Sequence, residues 1–317
     1  MLEWIRSSID QNLPPKPVWS VDQIPDLSGK VIIVTGGNTG IGKETIRALL
    51  VHNATVYMAS RSEERARSAI AELKEASGKE PFFLRLDLGN LASVRRAAEE
   101  FLSKEKQLHV LINNAGVMYP PISQVTDDGY DMQFGTNVIG HFHFTQLLIP
   151  ALLSAAQSSP DKHARVVTVS SWGHELWPGL KYDTFSDGPA RRKCSTQYLY
   201  SQSKYGNVVV ARELARRYAD QGIVSTALHP GSINSELARH TPGINFWGKL
   251  LVCAYLLYDT AHGALTQLYA ATAPEAADFN GKYLIPWARL GKAIPSTQDP
   301  EVAAKLWAWL EAAVADK

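Results

Sequence analysis

From Lys30 onward the chain alternates between two apolar patterns. Val31-Ile32-Ile33-Val34 is an unbroken β-branched run, the mark of a strand buried on both faces. Residues 43–52 then place Ile46, Leu49 and Leu50 on one side of a helix. Further strands are predicted over Ala54–Ala59, Pro81–Leu86, Val110–Ile112, Arg165–Val169 and Val224–Leu228, with Gly281–Ile285 as a seventh. Helices are predicted over Glu63–Ser77, Leu91–Lys104, residues 129–156 (irregular before Asn137) and Thr196–Gln221. A last helix, at about 299–315, carries Val302, Leu306, Leu310 and Val314 on one stripe. Strands alternating with helices predict an α/β fold. The expected form is a Rossmann-type, doubly wound parallel sheet of about seven strands with helices on both faces.

Neither an internal repeat nor a low-complexity linker divides the chain. One domain over 28–317 is therefore expected, preceded by an N-terminal arm at 1–27. Pro14, Pro15, Pro17 and Pro25 prevent a long helix in the arm, and Trp4 and Trp19 suggest that it packs on the body. Segments at about 172–197 and 232–260 are expected to cover the substrate. The second of these holds Phe246, Trp247, Leu250, Leu251, Tyr255, Leu256 and Leu257. The apolar character of these segments points to an apolar or aromatic substrate, although any single one of these residues is as well explained by core packing.

Composition narrows the function. With 317 residues, 45% hydrophobic and 20% charged, the chain is ordinary globular protein and neither disordered, collagen-like nor coiled coil. Lys and Arg number 32 against 31 Asp and Glu, so there is no basic excess to suggest nucleic-acid binding. Cys194 and Cys253 cannot build a disulfide framework or a four-ligand zinc site, and we expect them reduced in a cytoplasmic protein. His141 and His143, two apart on a predicted helix, cannot share a face, and no catalytic metal is expected. The N-terminus lacks a signal-peptide core, and the apolar run Leu250–Tyr258 is short for a membrane span, so membrane contact is not expected.

Between the first strand and helix lies Thr35-Gly36-Gly37-Asn38-Thr39-Gly40-Ile41-Gly42. A side chain at Gly36 or Gly40 would hold a pyrophosphate off the backbone, and one at Gly42 would hold the helix off the strand. The helix N-terminus offers free N–H groups to an anion. Dinucleotide binding follows from this placement after a buried strand and before an amphipathic helix. At the end of the second strand, Ser60-Arg61 stands where a carboxylate would select NAD; Arg61 can fork onto a 2′-phosphate, so NADP(H) is the expected cofactor.

Tyr200 and Lys204 are four residues apart on a predicted helix, which puts phenol and ammonium on one face. The lysine is expected to lower the phenol's pKa and fit it for proton transfer. Asn113-Asn114-Ala115-Gly116, Ser170-Ser171 and His229-Pro230-Gly231 all follow strands, and Asn137 lies in a facing helix. These segments converge at the carboxyl edge of the sheet, where ligands of such folds bind.

These motifs, with Asp87 after the third strand, occur in the order seen in the short-chain dehydrogenase/reductase family, which the chain resembles over about 28–240. The phrases Asn38–Thr45, Asn137–Phe142 and His229-Pro230-Gly231, with the late Leu306-Trp307, are most similar to its retinol dehydrogenase and WW-domain-containing oxidoreductase subgroup. The resemblance implies roles. Tyr200 would be the general acid/base, Lys204 would hold the nicotinamide ribose, and Ser171 would bond the substrate oxygen. Asn137 would hold a water linking Lys204 to solvent. Asp87 would bond the adenine amino group, with Leu88 beside it. Gly36, Asn38, Thr39, Gly40, Ile41, Gly42, Ser60, Arg61, Asn114, Ala115, Gly116, Pro230, Gly231 and Ile233 would complete the cofactor site, Ile233 through its backbone at the carboxamide. Ser171 and Tyr200 are 29 positions apart, an insertion that the same subgroup also carries. The expected activity is NADPH-dependent reduction of an apolar or aromatic aldehyde or ketone, or the reverse alcohol oxidation. The alternatives are a retinoid or steroid dehydrogenase and an NADP-binding regulator with little turnover. Family members often form dimers or tetramers, so a homo-oligomer is one option.

Overall fold

The first strand, β1 (Val31–Thr35), is buried at every residue, as its unbroken β-branched run requires. The sequence builds seven more strands among the residues described by this computed structural model, which are 2–237 and 257–317. They are β2 (Thr55–Ser60), β3 (Phe82–Arg85), β4 (Val110–Asn113), β5 (Ala164–Val169), β6 (Ile223–Leu228), β7 (Tyr283–Ile285) and β8 (Arg289–Gly291). All join one sheet in the order β3-β2-β1-β4-β5-β6-β7-β8. Every pairing is parallel except β7 with β8. The strand order runs outward in one direction from β1 and in the other from β4. The sheet therefore has its topological switch point between these two strands.

The helices are α1 (Leu2–Asn12), α2 (Gly40–Val51), α3 (Glu63–Ser77), α4 (Leu91–Lys104), α5 (Met132–Ser158), α6 (Thr196–Tyr218), α7 (Thr260–Thr272) and α8 (Pro300–Val314). Their ends carry local signals. Ser62 accepts from the Arg65 N–H to start α3, and Gly78, at φ +72°, ends it. Asp299 caps α8, with Pro300 at its first position. Successive residues of β1 and β2 feed opposite faces of the sheet. Val31, Ile33, Tyr57 and Ala59 pack with Val94, Phe101, Phe144, Leu148, Leu306 and Leu310. Ile32, Val34, Val56 and Met58 pack with Ile46, Leu49, Leu73 and Leu268. One single domain results, with a core on each side of the sheet.

The sheet has eight strands rather than the expected seven. The eighth, Arg289–Gly291, is three residues long and antiparallel, too short to leave a periodic pattern. Helix α2 starts three residues early, inside the glycine loop. The expected arm contains α1, which ends before Pro14, consistent with the prolines setting its limit. Trp19 packs edge-on against Tyr269 of α7, with ring centroids 5.4 Å apart. Asp10 accepts from Arg289 at 2.7 Å, and Gln11 donates to the Glu175 carboxylate at 3.0 Å. Met132–Ser158 is long and apolar enough to cross a membrane, yet 72% of its most apolar 18-residue window is buried in the body. Of the apolar residues expected to cover the substrate, Phe246, Trp247, Leu250, Leu251, Tyr255 and Leu256 lie outside the described residues.

The inserted segment after Ser171 is anchored by a cation. Arg191, 1% exposed, donates to Asp131 at 3.0 Å, to Asp187 at 2.9 Å and to the carbonyls of Ile122 and Gln124. Phe185 stacks on Phe134 of α5 at 3.7 Å between centroids, which ties the segment to the sheet's helical layer.

Candidate active site

The glycine loop is built as an interlock. A Cβ on Gly36, at φ +67°, would stand 2.9 Å from the Ala115 backbone. A Cβ on Gly42 would overlap the Gly36 carbonyl oxygen and stand 2.7 Å from Asn114 Nδ2. The Gly40 position meets nothing nearer than Ser235 Cβ, at 3.6 Å. Gly36 was expected to clear space for a pyrophosphate; here it lets the Asn114–Gly116 turn approach. Gly42 holds α2 close to the loop, as expected. Thr35 completes the interlock. Its hydroxyl accepts from the N–H groups of Asn114 and Ala115, both at 2.9 Å, and its carbonyl accepts from Asn114 Nδ2 at 2.8 Å.

Past this interlock runs an open cleft at the carboxyl ends of the strands. It is lined by Gly36, Asn38, Thr39, Gly40, Ile41, Gly42, Ser60, Arg61, Asp87, Leu88, Asn114, Ala115 and Gly116. Thirteen of the residues singled out in the sequence are thus brought together in one groove. Arg61 is exposed at its rim, and Asp87 is fixed by accepting from the Gly89 N–H at 2.9 Å. Arg65 and Glu236 also line the cleft and form a two-pronged ion pair at 2.7 Å. Sequence reasoning passed over this pair. The partners are 171 positions apart, and neither belongs to a motif.

Helix α6 carries Tyr200 and Lys204 on one buried face. Ser171 and Tyr200 meet across Gly173, where a Cβ would lie 3.3 Å from Ser171 Oγ and 3.4 Å from Tyr200 Cε1, and Ser171 Oγ accepts from the Gly173 N–H at 3.0 Å. The neighbouring serine has a different use: Ser170 donates to the Lys204 carbonyl at 2.7 Å and ties β5 to the helix. Lys204 Nζ donates to the Val169 carbonyl at 2.9 Å and lies 5.8 Å from the Tyr200 ring centre. Burial brings the lysine down to about 8. Burial also pushes the Tyr200 phenol up, and the Ser171 hydroxyl offsets this only in part. This corrects the expectation that Lys204 lowers the phenol's pKa. In this geometry desolvation dominates and moves the phenol upward. Tyr119, which the sequence did not single out, packs edge-on against it, with centroids 5.3 Å apart.

Asn137 lies in a π-helical turn, Gly135–Gly140, where the irregularity in α5 was expected. Its side chain is committed to the backbone of the facing turn. Oδ1 accepts from Val117 N–H at 2.9 Å, and Nδ2 donates to Val117 C=O at 3.1 Å and Ser203 Oγ at 3.0 Å. A Cβ on Gly116 would lie 3.2 Å from Asn137 Oδ1 and 3.6 Å from Lys204 Nζ, so Gly116 is where the cleft meets the lysine.

Pro230 and Gly231 are not among the residues lining the groove, and a side chain at Gly231 would strike the Trp287 ring. Ile233 forms a parallel bridge with Tyr258 and meets Ile41 of the groove across Gly263. His174 is structural. It bonds the Ser171 carbonyl at 2.7 Å and accepts from Ile294 N–H at 3.2 Å, and burial takes its pKa down to about 4. Among the described residues no cluster of three His, Cys, Asp or Glu could hold a metal.

A doubly wound parallel sheet with a glycine-lined groove at its switch point, beside a half-buried serine and a buried tyrosine and lysine, defines a Rossmann-type oxidoreductase. The chain belongs to the short-chain dehydrogenase/reductase family. The short chain dehydrogenase profile matches residues 30–180. A short-chain dehydrogenase/reductase of Armillaria gallica is 59% identical over 306 residues, covering 96% of each chain. Human retinol dehydrogenase 12 is 38% identical over 282 residues, covering 89% of this chain and 85% of its own length, in keeping with the resemblance to the retinol dehydrogenase subgroup. Among solved structures, an uncharacterised protein of Mycobacterium paratuberculosis superposes with a TM-score of 0.72 at 31% identity, covering 94% of this chain and 97% of that one.

Proposed function

We propose that this chain is an NADPH-dependent carbonyl reductase, reversible as an alcohol dehydrogenase, for an apolar or aromatic aldehyde, ketone or alcohol. The observation that carries the reading is the meeting of Ser171 and Tyr200 across Gly173, beside Lys204 and set where Gly116 brings the groove against the lysine. The groove fits a dinucleotide on its own terms. The N-terminus of α2 opens onto it at Gly40, and the interlock of Gly36 and Gly42 keeps loop and turn clear of side chains. Gly36 to Gly42 would hold the pyrophosphate, Asp87 and Leu88 the adenine, Asn114 to Gly116 the adenosine side, and Ile233 the carboxamide. Ser60 and Arg61 at the end of β2 favour a 2′-phosphate, because no carboxylate is there to repel it.

The cofactor, when bound, supplies the hydride to the carbonyl carbon in reduction and accepts it in oxidation. The residues of the chain handle the oxygen. Ser171 and Tyr200 donate to it as negative charge develops, and the O–H bond of Tyr200 breaks as its proton passes to that oxygen. Lys204, one helical turn away, would hold the ribose and pass a proton back to the Tyr200 phenolate.

The test is oxidation of NADPH and NADH with aromatic aldehydes, ketones and retinal, for the native protein, Tyr200→Phe and Arg61→Ala. NADPH turnover lost in Tyr200→Phe and selectively weakened in Arg61→Ala is expected. Tight NADPH binding with no turnover on the panel would leave the regulator reading. A preference for NADH would overturn the role of Arg61.

A further inference from the structure

His141 is buried, its ring is bonded at both nitrogens, and the proposed chemistry gives it no part. Nε2 lies 2.9 Å from Thr35 Oγ1, and Nδ1 lies 3.1 Å from the Asn137 carbonyl. The proton placement follows from Thr35. Its hydroxyl already accepts two N–H bonds, from Asn114 and Ala115, so its single proton needs an acceptor. His141 Nε2 at 2.9 Å is better placed than the Ile112 carbonyl at 3.4 Å. Nε2 is then unprotonated, and Nδ1 carries the proton that it donates to Asn137. Burial, reinforced by Lys204, keeps the ring neutral by lowering its pKa to about 4.

These bonds close a ring. Thr35 holds the start of the Asn114–Val117 turn, and the Asn137 side chain holds its end through both backbone groups of Val117. His141 joins Thr35 to Asn137. Inside this ring lies Gly116, where a Cβ would lie 3.2 Å from Asn137 Oδ1 and 3.6 Å from Lys204 Nζ. Without the imidazole, the two anchors of the turn belong to separate elements, the end of β1 and the π turn of α5.

Building on the proposed function, we propose that His141 is a positioning residue. As a neutral Nδ1–H imidazole it locks the cofactor-facing turn Asn114–Val117 to the Asn137–Lys204 pair. Its two bonds serve two quantities. The Thr35 bond fixes the wall of the groove and sets cofactor affinity. The Asn137 bond fixes the helix turn beside Lys204 and sets turnover.

Two short substitutions separate these bonds. The side-chain amide of His141→Asn reproduces the Nδ1 donor and cannot reach Thr35, whereas the longer amide of His141→Gln reaches Thr35 and loses the Nδ1 position. His141→Asn is expected to raise the Kd for NADPH about tenfold with kcat nearly unchanged, and His141→Gln to lower kcat about tenfold with Kd within about twofold, the scale of one buried hydrogen bond. Both are measured beside melting curves. Wild-type values in both variants, or Kd and kcat shifting together in both as stability falls, would overturn the inference. Ring ¹⁵N shifts of His141 at neutral pH test it without turnover. A neutral Nδ1–H ring is expected, and an Nε2–H or charged ring would sink it. A native protein that binds no NADPH but shows this tautomer would count against the proposed function and not against the ring.

Discussion

Lys204 Nζ donates to the main-chain carbonyl of Val169 at 2.9 Å, so the ammonium is fixed to the last residue of β5, two positions before Ser171. Strand and helix thereby hold the serine, the tyrosine and the lysine in one rigid unit. Asn207 Nδ2 donates to the same carbonyl at 3.2 Å, and Ser170 bonds back to Lys204. Sites supported this way are held by packing rather than by loops.

This unit predicts unequal losses from its members. Lys204→Met is expected to lower kcat by about 10²- to 10⁴-fold, the range for removing support from acid–base catalysis. Ser171→Ala removes one donor to the developing oxyanion and should cost about 10²- to 10³-fold. Steady-state reduction of an aromatic aldehyde with NADPH measures both. An unchanged kcat in Ser171→Ala would remove the serine from the reaction.

The glycine interlock predicts that Gly42→Ala harms binding and folding together. The new methyl group would overlap the Gly36 carbonyl, which is backbone and cannot rotate away. A loss of about 1–3 kcal/mol in stability is expected from such overpacking. NADPH affinity should fall with it, because α2 is pushed off the loop that it shares with the groove. Urea denaturation and fluorescence titration of the variant check the two effects. Native affinity in a destabilised variant would separate the loop from the binding site.

Arg191→Met should be strongly destabilising. The guanidinium is 1% exposed, and its removal leaves the nearly buried Asp131 carboxylate without its cation. Breaking one side of such a pair costs about 3–5 kcal/mol. The insertion and the 122–124 loop should loosen first, since both hang on the same side chain. Chemical denaturation gives the total, and hydrogen exchange over 120–124 and 185–192 gives the location. Native protection there would refute the anchoring role.

Acid should weaken the fold before it protonates most carboxylates. Burial takes the rings of His141 and His174 down to about 4 and that of His229 to about 3, from an ordinary 6.5. Between these values the unfolded chain binds more protons than the folded one. Their contribution is therefore complete above pH 6.5 and declines as pH falls toward 4. At pH 5 each ring costs about 2 kcal/mol. Glu175 and Asp131, whose carboxyls burial raises above their ordinary values, act in the opposite sense and offset part of the loss that the histidines cause between pH 6.5 and 5. Urea midpoints across that window should fall, and a flat profile would contradict the burial of these rings.

Much of this was legible in the chain. The β-branched run Val31–Val34 could only be a strand covered on both sides, and the glycines after it could only be a tight approach before a helix. Tyr200 and Lys204 share a face because any helix brings i and i+4 together. Strand order, by contrast, leaves no mark in local pattern. The short β8 and the helix α7, whose residues are buried on most sides, show little periodicity to read.

The fold class and the pairing of tyrosine with lysine could be read from the chain, because they depend on periodicities of two and 3.6 residues, and the family resemblance supplied the thirteen residues that line one groove. How those parts are held and charged follows from contacts between distant segments. Thr35 and His141 are 106 positions apart, and Arg191 and Asp131 are 60 apart. Their bonds exist because the sheet closes around them. The direction in which the Tyr200 pKa moves has the same origin. A lysine four residues away favours the phenolate in sequence, but burial of both groups in a dry core opposes the charge more strongly, and burial is a property of the folded chain alone.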